Sequence, residues 1–412
     1  MYERVQFIGY AIPSTPLILA DIGDPNGPGF IEGRYIGIEP AGDDINARIE
    51  LTMNAIQAAA KSDAVDSSPT TLKIFVMPEF TFRGTRGAYD AEIYFDAFRA
   101  RFMECVVDNK DYEGWLFVVG TFVNIMGDYV RGVDPKRDRR ARVREDLAMA
   151  LANAWQYCNK NDDPELATIV NDTLRTYTKY CHDHPIYEVA DRSYVVAGGR
   201  RDDADYPEGL SIEKKFISNE DFVLNLHSNA FAEEQAAYPD IDEKNGEDKQ
   251  QAFDDLSIFT IRGIKFGVEV CLDHYKARIR RNRQPNTNLV QIQIIPSCGM
   301  QIVDSSVVAG PEGYVFNCDG QYDEFDLTSN PGAGASIWTG TDSNRAHTQL
   351  TKVGKPCSGN DPTCDQPNLI MPDATVTKIT IEDDSAPKLF AYGAGEVHIY
   401  SWLKIPPPIA GA

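Results

Sequence analysis

The segment "TLKIFVMPEF" (residues 71–80) is a nearly continuous apolar run that is interrupted by a proline. Such a run is typical of a strand that is buried on both faces, as in the parallel sheets of α/β proteins. The segment "WLFVVGTFVN" (115–124) has the same character. A helix is predicted near residues 89–107, between the two strands. This alternation of strands and helices predicts the α/β class.

The same pattern extends outward from this segment. A helix is predicted for "DDINARIELTMNAIQAAAK" (43–61), with Asp43 or Asp44 as its N-cap. The segments 256–261 and 264–270 predict a β-hairpin that turns at Arg262 and Gly263. The remaining predicted strands are 5–12, 193–199, 289–296 and 396–405. Residues 136–180 show helical spacing of apolar residues in two segments, and Pro164 is placed to begin the second one.

The bulk properties exclude several classes of function. The chain has 412 residues and a net charge of −22, which argues against a role in gripping nucleic acid. Its eight cysteines show no compact spacing of pairs, so a disulfide-stapled secreted fold is not expected. We find no signal peptide and no apolar run long enough to cross a bilayer. A cytoplasmic protein that binds no membrane is the resulting expectation.

Three residue types with complementary chemistry follow predicted strands. Glu79 comes directly after Pro78, and Cys271 stands where the strand 264–270 stops. A lysine pair, Lys214 and Lys215, lies within the otherwise apolar stretch "LSIEKKFIS". In open α/β sheets, sites form outside the carboxyl ends of the strands. The three positions are therefore candidates for one site.

The chemistry of these residues fits attack on a carbonyl or nitrile carbon. Cys271 attacks as a thiolate, and Glu79 is a candidate base for its proton. Lys214 and the N–H of Leu272 are candidates to stabilise the negative charge that develops on the substrate. The alternatives are structural: Cys271 as a small packed side chain, Glu79 paired with a nearby arginine, and the two lysines exposed on an edge.

The segments "KIFVMPEFTF", "IEKKFIS" and "IKFGVEVCLDH", in this order, resemble the three signature segments of the nitrilase or carbon–nitrogen hydrolase superfamily. The resemblance spans most of residues 1–300. It implies that Glu79 is the general base and Cys271 the nucleophile. The lysine of the family usually precedes a histidine by two positions. Phe216 stands in place of that histidine, which favours Lys214 and leaves Lys215 open.

The resemblance also implies a fold and an activity. The fold is a four-layer α-β-β-α sandwich in one domain over residues 1–412, and 128–188 is a helical insertion within it. The activity is hydrolysis of a non-peptide C–N bond of a small molecule through a cysteine thioester, with an amide as the favoured substrate and a nitrile as the alternative. The family often forms homo-oligomers, and many members carry a second glutamate, here Glu233 or Glu234. No cofactor and no metal are expected.

Alternative interpretations remain open at this point. A nitrilase-like binding protein without activity is the main one. A cysteine peptidase that pairs Cys271 with a histidine is another, but His274 is too close to Cys271 in sequence to be the obvious partner. The segment "CHDHP" (181–185) contains metal-ligand types, but it lacks a second pair at zinc-like spacing. The insertion is interpreted as a lid or wall of the substrate pocket, with subunit contact as the alternative.

Overall fold

The computed structural model of the chain describes residues 2–21, 31–126, 139–160, 163–183, 187–199, 209–216, 236–237, 257–281, 290–322, 346–354 and 368–409. Within them the helices are α1 (Ala41–Ala60), α2 (Ile93–Val106), α3 (Arg139–Lys160), α4 (Pro164–Asp183), α5 (Leu272–Tyr275) and α6 (Arg278–Arg281). The strands are β1 (Arg4–Ala11), β2 (Leu17–Asp21), β3 (Ile31–Arg34), β4 (Thr71–Val76), β5 (Trp115–Met126), β6 (Tyr187–Ala197), β7 (Leu210–Glu213), β8 (Ala236–Ala237), β9 (Ile258–Ile261), β10 (Ile264–Val268), β11 (Val290–Ser297), β12 (Ala309–Asp319), β13 (His347–Val353), β14 (Leu369–Ile370), β15 (Val376–Thr380), β16 (Glu396–Tyr400) and β17 (Leu403–Lys404).

The strands form two mixed sheets and a small ribbon of β2 and β3. The first sheet has the order β15-β16-β1-β4-β5-β6-β7, with β17 beside β1 and β8 beside β6. The second has the order β14-β13-β12-β11-β10-β9. The central pairs β1/β4, β4/β5, β10/β11 and β11/β12 are parallel. The other pairs within these two strand orders are antiparallel, and β8 pairs with β6 in parallel. The predicted α/β class is therefore confirmed.

The alternation of side chains in β4 shows how the layers are arranged. Leu72, Ile74 and Val76 share one buried cluster with side chains of the second sheet, so the two sheets pack face to face. Phe75 and Met77 join a second cluster that contains the apolar faces of α1 and α2. Each fully buried side chain of this kind contributes about 1.5–3 kcal/mol. Burial on both sides explains why the segment shows no polar alternation.

Helix α1 differs at its beginning from the predicted one. It begins at Ala41 after Pro40, so neither Asp43 nor Asp44 is its N-cap. The Asp44 carboxylate is fully buried and accepts bonds from Arg48 Nε (2.7 Å) and from the Tyr89 hydroxyl (2.6 Å). The prediction of a cap was wrong because this carboxylate has tertiary partners, which sequence spacing does not reveal.

Other predicted elements agree with the structure to within a few residues. Strands β9 and β10 form the predicted antiparallel hairpin, and Arg262 and Gly263 at its turn have φ angles of 50° and 81°. The last predicted strand is divided into β16 and β17, and both pair with β1. The strand predicted at 289–296 is β11, shifted by one residue.

Helices α3 and α4 connect β5 to β6, which are adjacent antiparallel strands of the first sheet. The two helices, separated by three residues, pack against each other. The position of the two helices agrees with the helical spacing in the sequence. In the part of the chain that the structure describes, no helix is both long enough and apolar enough to cross a bilayer.

Candidate active site

Glu79 lies three residues beyond β4, at a point where the two sheets meet. Its side chain is fully buried. Its backbone N–H donates to the carbonyl of Ser297, the last residue of β11 in the second sheet (3.2 Å). The next residue, Phe80, has a φ of 62°, which is uncommon outside glycine. The Phe80 N–H donates to the Thr121 hydroxyl on β5 (2.8 Å). These bonds fix the backbone that carries the Glu79 carboxylate.

Lys214 follows β7 directly, and its ammonium group is paired with Glu79. Its backbone N–H donates to the carbonyl of Asp191 on β6 (2.8 Å), which extends the pairing of these strands by one residue. Lys214 Nζ lies 2.7 Å from Glu79 Oε1, and both side chains are fully buried. The ring of Phe80 lies 5.5 Å from the same nitrogen. A charged pair is thus enclosed by the protein.

Lys215 takes a different direction from Lys214. Its Nζ donates to Glu213 Oε2 (2.6 Å), and its side chain is partly exposed. Successive residues of an extended chain point to opposite sides, which explains the difference. Of the two lysines that the sequence left open, the structure places Lys214 against Glu79.

Cys271 occupies a sharp turn between β10 and the short helix α5. Its backbone has φ 44° and ψ −108°, a conformation that is unusual for a residue with a side chain. Its N–H donates to the carbonyl of Pro296 (2.9 Å), and its Sγ lies 3.8 Å from the carbonyl of Cys298. The side chain is buried. Strained conformations persist where the surrounding structure fixes them, and they cluster at functional sites.

The end of strand β11 brings Glu79 and Cys271 together. The two residues belong to segments almost 200 positions apart, yet their backbone N–H groups donate to the adjacent carbonyls of Ser297 and Pro296. Because Lys214 is paired with Glu79, the three predicted site residues, which come from both sheets, are connected to the end of this one strand. The order of the motifs along the chain does not reveal that these segments are neighbours in space.

Asp273 connects the lysine segment to the cysteine turn. Its buried carboxylate accepts the backbone N–H groups of Lys215 (3.0 Å) and Phe216 (2.9 Å). Arg278 Nη1 donates both to this carboxylate (2.9 Å) and to the carbonyl of Glu213 (2.9 Å). Burial raises the pKa of the Asp273 carboxyl above its ordinary value, and the Arg278 guanidinium opposes this shift. Asp273 therefore fixes the two residues after Lys214, and Arg278 binds the carbonyl of the residue before it.

Asp319 holds the loop that follows β11. Its buried carboxylate accepts the Ser297 hydroxyl (2.7 Å) and the N–H groups of Met300 (2.7 Å) and Gln321 (2.8 Å). This loop carries Cys298, whose carbonyl contacts the Cys271 thiol. The sequence reasoning missed Asp319. The available signal was an aspartate directly after the apolar run of a strand, in the segment "YVFNCDG".

His274 is bound in a separate polar cluster behind the turn. Its Nε2 accepts the N–H of Val303 (3.0 Å), which assigns the ring proton to Nδ1. Nδ1 then donates to Glu269 Oε2 (2.9 Å), and both side chains are fully buried. With both ring nitrogens engaged in this way, His274 supports the turn and is not placed to act as a base for Cys271.

Some sequence-based candidates lie outside the described residues. They are Glu233, Glu234, His184, Cys357 and Cys364. Cys181 and Asp183 belong to the last turn of α4. Among the residues that the structure describes, no group of three or more metal-ligating side chains is found.

Comparison with known proteins gives matches at the level of structure. No family model and no curated protein matches the sequence. The structure is similar to an amidase from Nesterenkonia sp., with a TM-score of 0.37, 10% identity, and coverage of 86% of this chain and 92% of that chain. It is also similar to a mutant of the Nesterenkonia AN1 amidase from the nitrilase superfamily (TM-score 0.36, 8% identity, 100% and 93% covered).

A third match is a mutant of the amidase from Nesterenkonia sp. AN1 in complex with butyramide (TM-score 0.35, 9% identity, 85% and 91% covered). The second of the three matches is described as a member of the family that the sequence motifs resemble. Similarity at this level does not indicate the activity of the chain.

Proposed function

We propose that the chain is a carbon–nitrogen hydrolase that cleaves a small amide through a thioester on Cys271. The observation that carries the proposal is the buried Glu79–Lys214 pair, 2.7 Å apart, next to a strained cysteine turn held by the same strand end. Support comes also from the three sequence motifs and their resemblance to the nitrilase superfamily. The four-layer α-β-β-α arrangement of that family, within one domain, is part of the proposal.

The buried pair is difficult to explain by stability alone. Taking two charges out of water carries a desolvation penalty of several kcal/mol for each ion, which their attraction offsets only when the geometry is good. Apolar residues of similar size often serve stability as well or better. A carboxylate, an ammonium group and a thiol are, however, the groups that acyl transfer by a cysteine needs. The pair is therefore better explained by chemistry than by packing.

The first half of the reaction forms the thioester. The Glu79 carboxylate takes the thiol proton of Cys271, and the thiolate attacks the amide carbon. The carbonyl π bond breaks, and the negative charge on oxygen is stabilised by Lys214 Nζ and by the N–H of Leu272. Leu272 is the first residue of α5, where a helix offers its N–H no internal acceptor. The C–N bond then breaks, and the amine leaves with the proton from Glu79.

The second half hydrolyses the thioester. Glu79 takes a proton from water, and the resulting hydroxide attacks the acyl carbon. Lys214 and Leu272 N–H again stabilise the oxyanion. The C–S bond breaks, a carboxylic acid is released, and the Cys271 thiolate regains its proton. Glu79 thus acts twice as base, and the protein returns to its initial state without a cofactor.

The experiment is intact-mass spectrometry of the protein after incubation with libraries of small amides and nitriles. An acyl adduct on Cys271 is expected, together with turnover of the same compound. Cys271→Ala should abolish both. Cys105→Ala, on α2 and outside the site, is the control and should leave both unchanged. Full activity of Cys271→Ala would show that the mechanism is wrong. Binding of a compound without adduct or turnover would instead favour the inactive binding protein.

A further inference from the structure

Helix α4 carries two parallel stripes of residues. The first, Ala167, Val170, Leu174 and Tyr177, is half-buried, and helix α3 packs against α4. The second stripe is Leu166, Ile169, Thr173, Thr176 and Tyr180, here called the outer stripe. All five of its residues are exposed. A helix that needed only to cover α3 would need only the first stripe.

The outer stripe has the spacing of a helix–helix contact. Its residues follow one another at intervals of three, four, three and four positions, which is the heptad pattern of two packed helices. Leu166 is 43% exposed, Ile169 57% and Tyr180 50%. The stripe runs from Leu166 to Tyr180, which is about 21 Å along the helix axis. Three of its five residues are large apolar side chains left exposed on one face, which is a feature of contact surfaces.

The two threonines of the outer stripe are ready for burial. The Thr173 hydroxyl donates to the Ile169 carbonyl (2.9 Å), and the Thr176 hydroxyl donates to the Asp172 carbonyl (2.9 Å). Because each hydroxyl bonds within the helix, it leaves no unmade donor when it is covered. Burial of this stripe therefore carries only a small free-energy penalty for desolvating the two hydroxyl groups.

Charge indicates what covers the stripe. The outer stripe contains no charged residue, while Asp172, Arg175 and Lys179 lie elsewhere on the surface of α4. The whole chain carries a net charge of −22, so two copies repel each other over most of their surfaces. An uncharged and self-matched stripe is a surface where two copies can meet without that repulsion. A partner chosen for its opposite charge would be expected to select a charged face.

We propose that the outer stripe of α4 binds the same stripe of a second copy of this chain. The contact is isologous, with a two-fold axis near Thr173, the middle of the stripe. The helices cross at about 20°, as in bundles in which residues three and four apart interlock. The paired α3–α4 hairpins then form a four-helix arrangement. The proposal is independent of the chemistry at Cys271.

The first test is the mass of the protein in solution. Light scattering after gel filtration should give twice the chain mass of 45.8 kDa for the full-length protein. Ile169→Glu places a charge in the middle of the stripe and should halve the measured mass. The matched control is Thr168→Glu, because Thr168 is exposed on the same turn but lies outside the stripe. It should leave the dimer intact. A monomeric full-length protein, or a dimer that Ile169→Glu does not dissociate, would overturn the proposal.

The second test does not depend on a destabilising charge. Thr173→Cys places two thiols across the two-fold axis, so oxidation with copper phenanthroline should link the copies by a disulfide. Thr168→Cys is the control and should give no more linked dimer than the unmodified protein, whose own cysteines are present in both variants. Equal linking of the two variants would place the contact elsewhere and refute the proposal.

Discussion

Two regions of the molecule break the usual rule that charged side chains are exposed and apolar side chains are buried. The region around Lys214 buries charges, and the region around Ile169 exposes apolar side chains. The Lys214 ammonium and the Glu79 carboxylate are fully buried, whereas Ile169 in the outer stripe is 57% exposed. Charged side chains are rarely fully buried unless they are paired, and rows of large apolar side chains are seldom left in water. Each departure is unfavourable in an isolated chain, so each indicates a use: chemistry in one region and association in the other.

The two regions should also respond differently to mutation. Removing one partner of a buried ion pair destabilises a protein by about 3–5 kcal/mol, because the other charge stays buried. Exposed positions away from special features change stability by about 0.5 kcal/mol or less. Changes in the site should thus affect both rate and stability, whereas changes in the outer stripe should affect the dimer alone.

The largest expected effect is on turnover in the site. Lys214→Ala removes one stabilising donor from the oxyanion, and such a loss lowers the rate by about 100- to 1000-fold. Glu79→Gln removes the proton acceptor and should lower it by about 100- to 10,000-fold. Steady-state kinetics on a substrate identified by the intact-mass screen would measure both losses of rate. Lys215→Ala, one residue away but paired with Glu213, should keep normal turnover.

A double variant separates chemistry from stability. Glu79→Gln together with Lys214→Met removes both charges and leaves none unpaired, so urea unfolding should show it to be more stable than either single variant. Its turnover should remain as low as theirs. If Lys215→Ala is inactive while Lys214→Ala is active, the assignment of the lysine is wrong.

The next effect tests the bond between the cysteine turn and the lysine segment. Asp273→Asn weakens the bonds to Lys215 N–H and Phe216 N–H, and it removes the negative charge that pairs with Arg278. Displacement of a reacting group by about 1 Å lowers rates on the order of 100-fold, so kcat should fall by about that factor. Kinetics with kcat and KM resolved separately is the measurement.

The control for this prediction is Asp66→Asn. Asp66 also accepts several hydrogen bonds, from Arg4, Thr71 and Ser68, but at the opposite end of β4. Both variants should be less stable in urea, and Asp273→Asn alone should lose kcat. Equal kcat in the two would show that Asp273 has only a structural role.

A deletion compares the two regions directly. Met126 and Glu188 are paired neighbours on β5 and β6, so a short turn can replace the residues between them without moving either strand. The deleted protein should be monomeric and should keep its rate of Cys271 alkylation by iodoacetamide and its turnover. Loss of substrate selection with the dimer retained would instead support the lid that the sequence suggested.

The smallest difference between the two regions is expected in the pH dependence of the free energy of unfolding. Burial, with Lys378 nearby, lowers the pKa of His398 from 6.5 to about 4. The unfolded chain therefore takes up this proton first, and the free energy of unfolding should fall as pH decreases from about 6.5 to 4. The shift corresponds to a loss on the order of 3 kcal/mol.

Urea titrations between neutral and acidic pH measure this loss. His398→Gln should reduce the loss over this range. His398 lies at the contact between the two sheets, where its Nδ1 meets the Thr348 hydroxyl (2.9 Å). The protein without the α3–α4 hairpin should therefore show the same pH dependence as the full chain. A different pH dependence would mean that the hairpin contributes to the stability of the sheets.

The sequence by itself determined the order of most elements. Apolar runs such as 71–80 and 115–124 bury both faces, so their composition alone distinguishes them from helices and from surface strands. The hairpin of β9 and β10 was also predicted, since its turn residues lie next to each other in the chain. Glu79 and Cys271 were found as candidates because each follows an apolar strand. Lys214 was found because it lies in an apolar stretch, and the resemblance to the nitrilase superfamily favoured it over Lys215.

Only the tertiary structure decided what these residues touch. Lys214 and Glu79 are 135 positions apart, and their contact depends on the packing of two strands that no local pattern specifies. Asp319 and Asp44 were missed or misassigned for the same reason, because their partners are distant in sequence. Helical spacing of apolar residues in α4 was visible in the sequence, but which of these residues stay exposed depends on where α3 packs. Local periodicity determines which faces a helix has, and the fold alone determines which of them is covered.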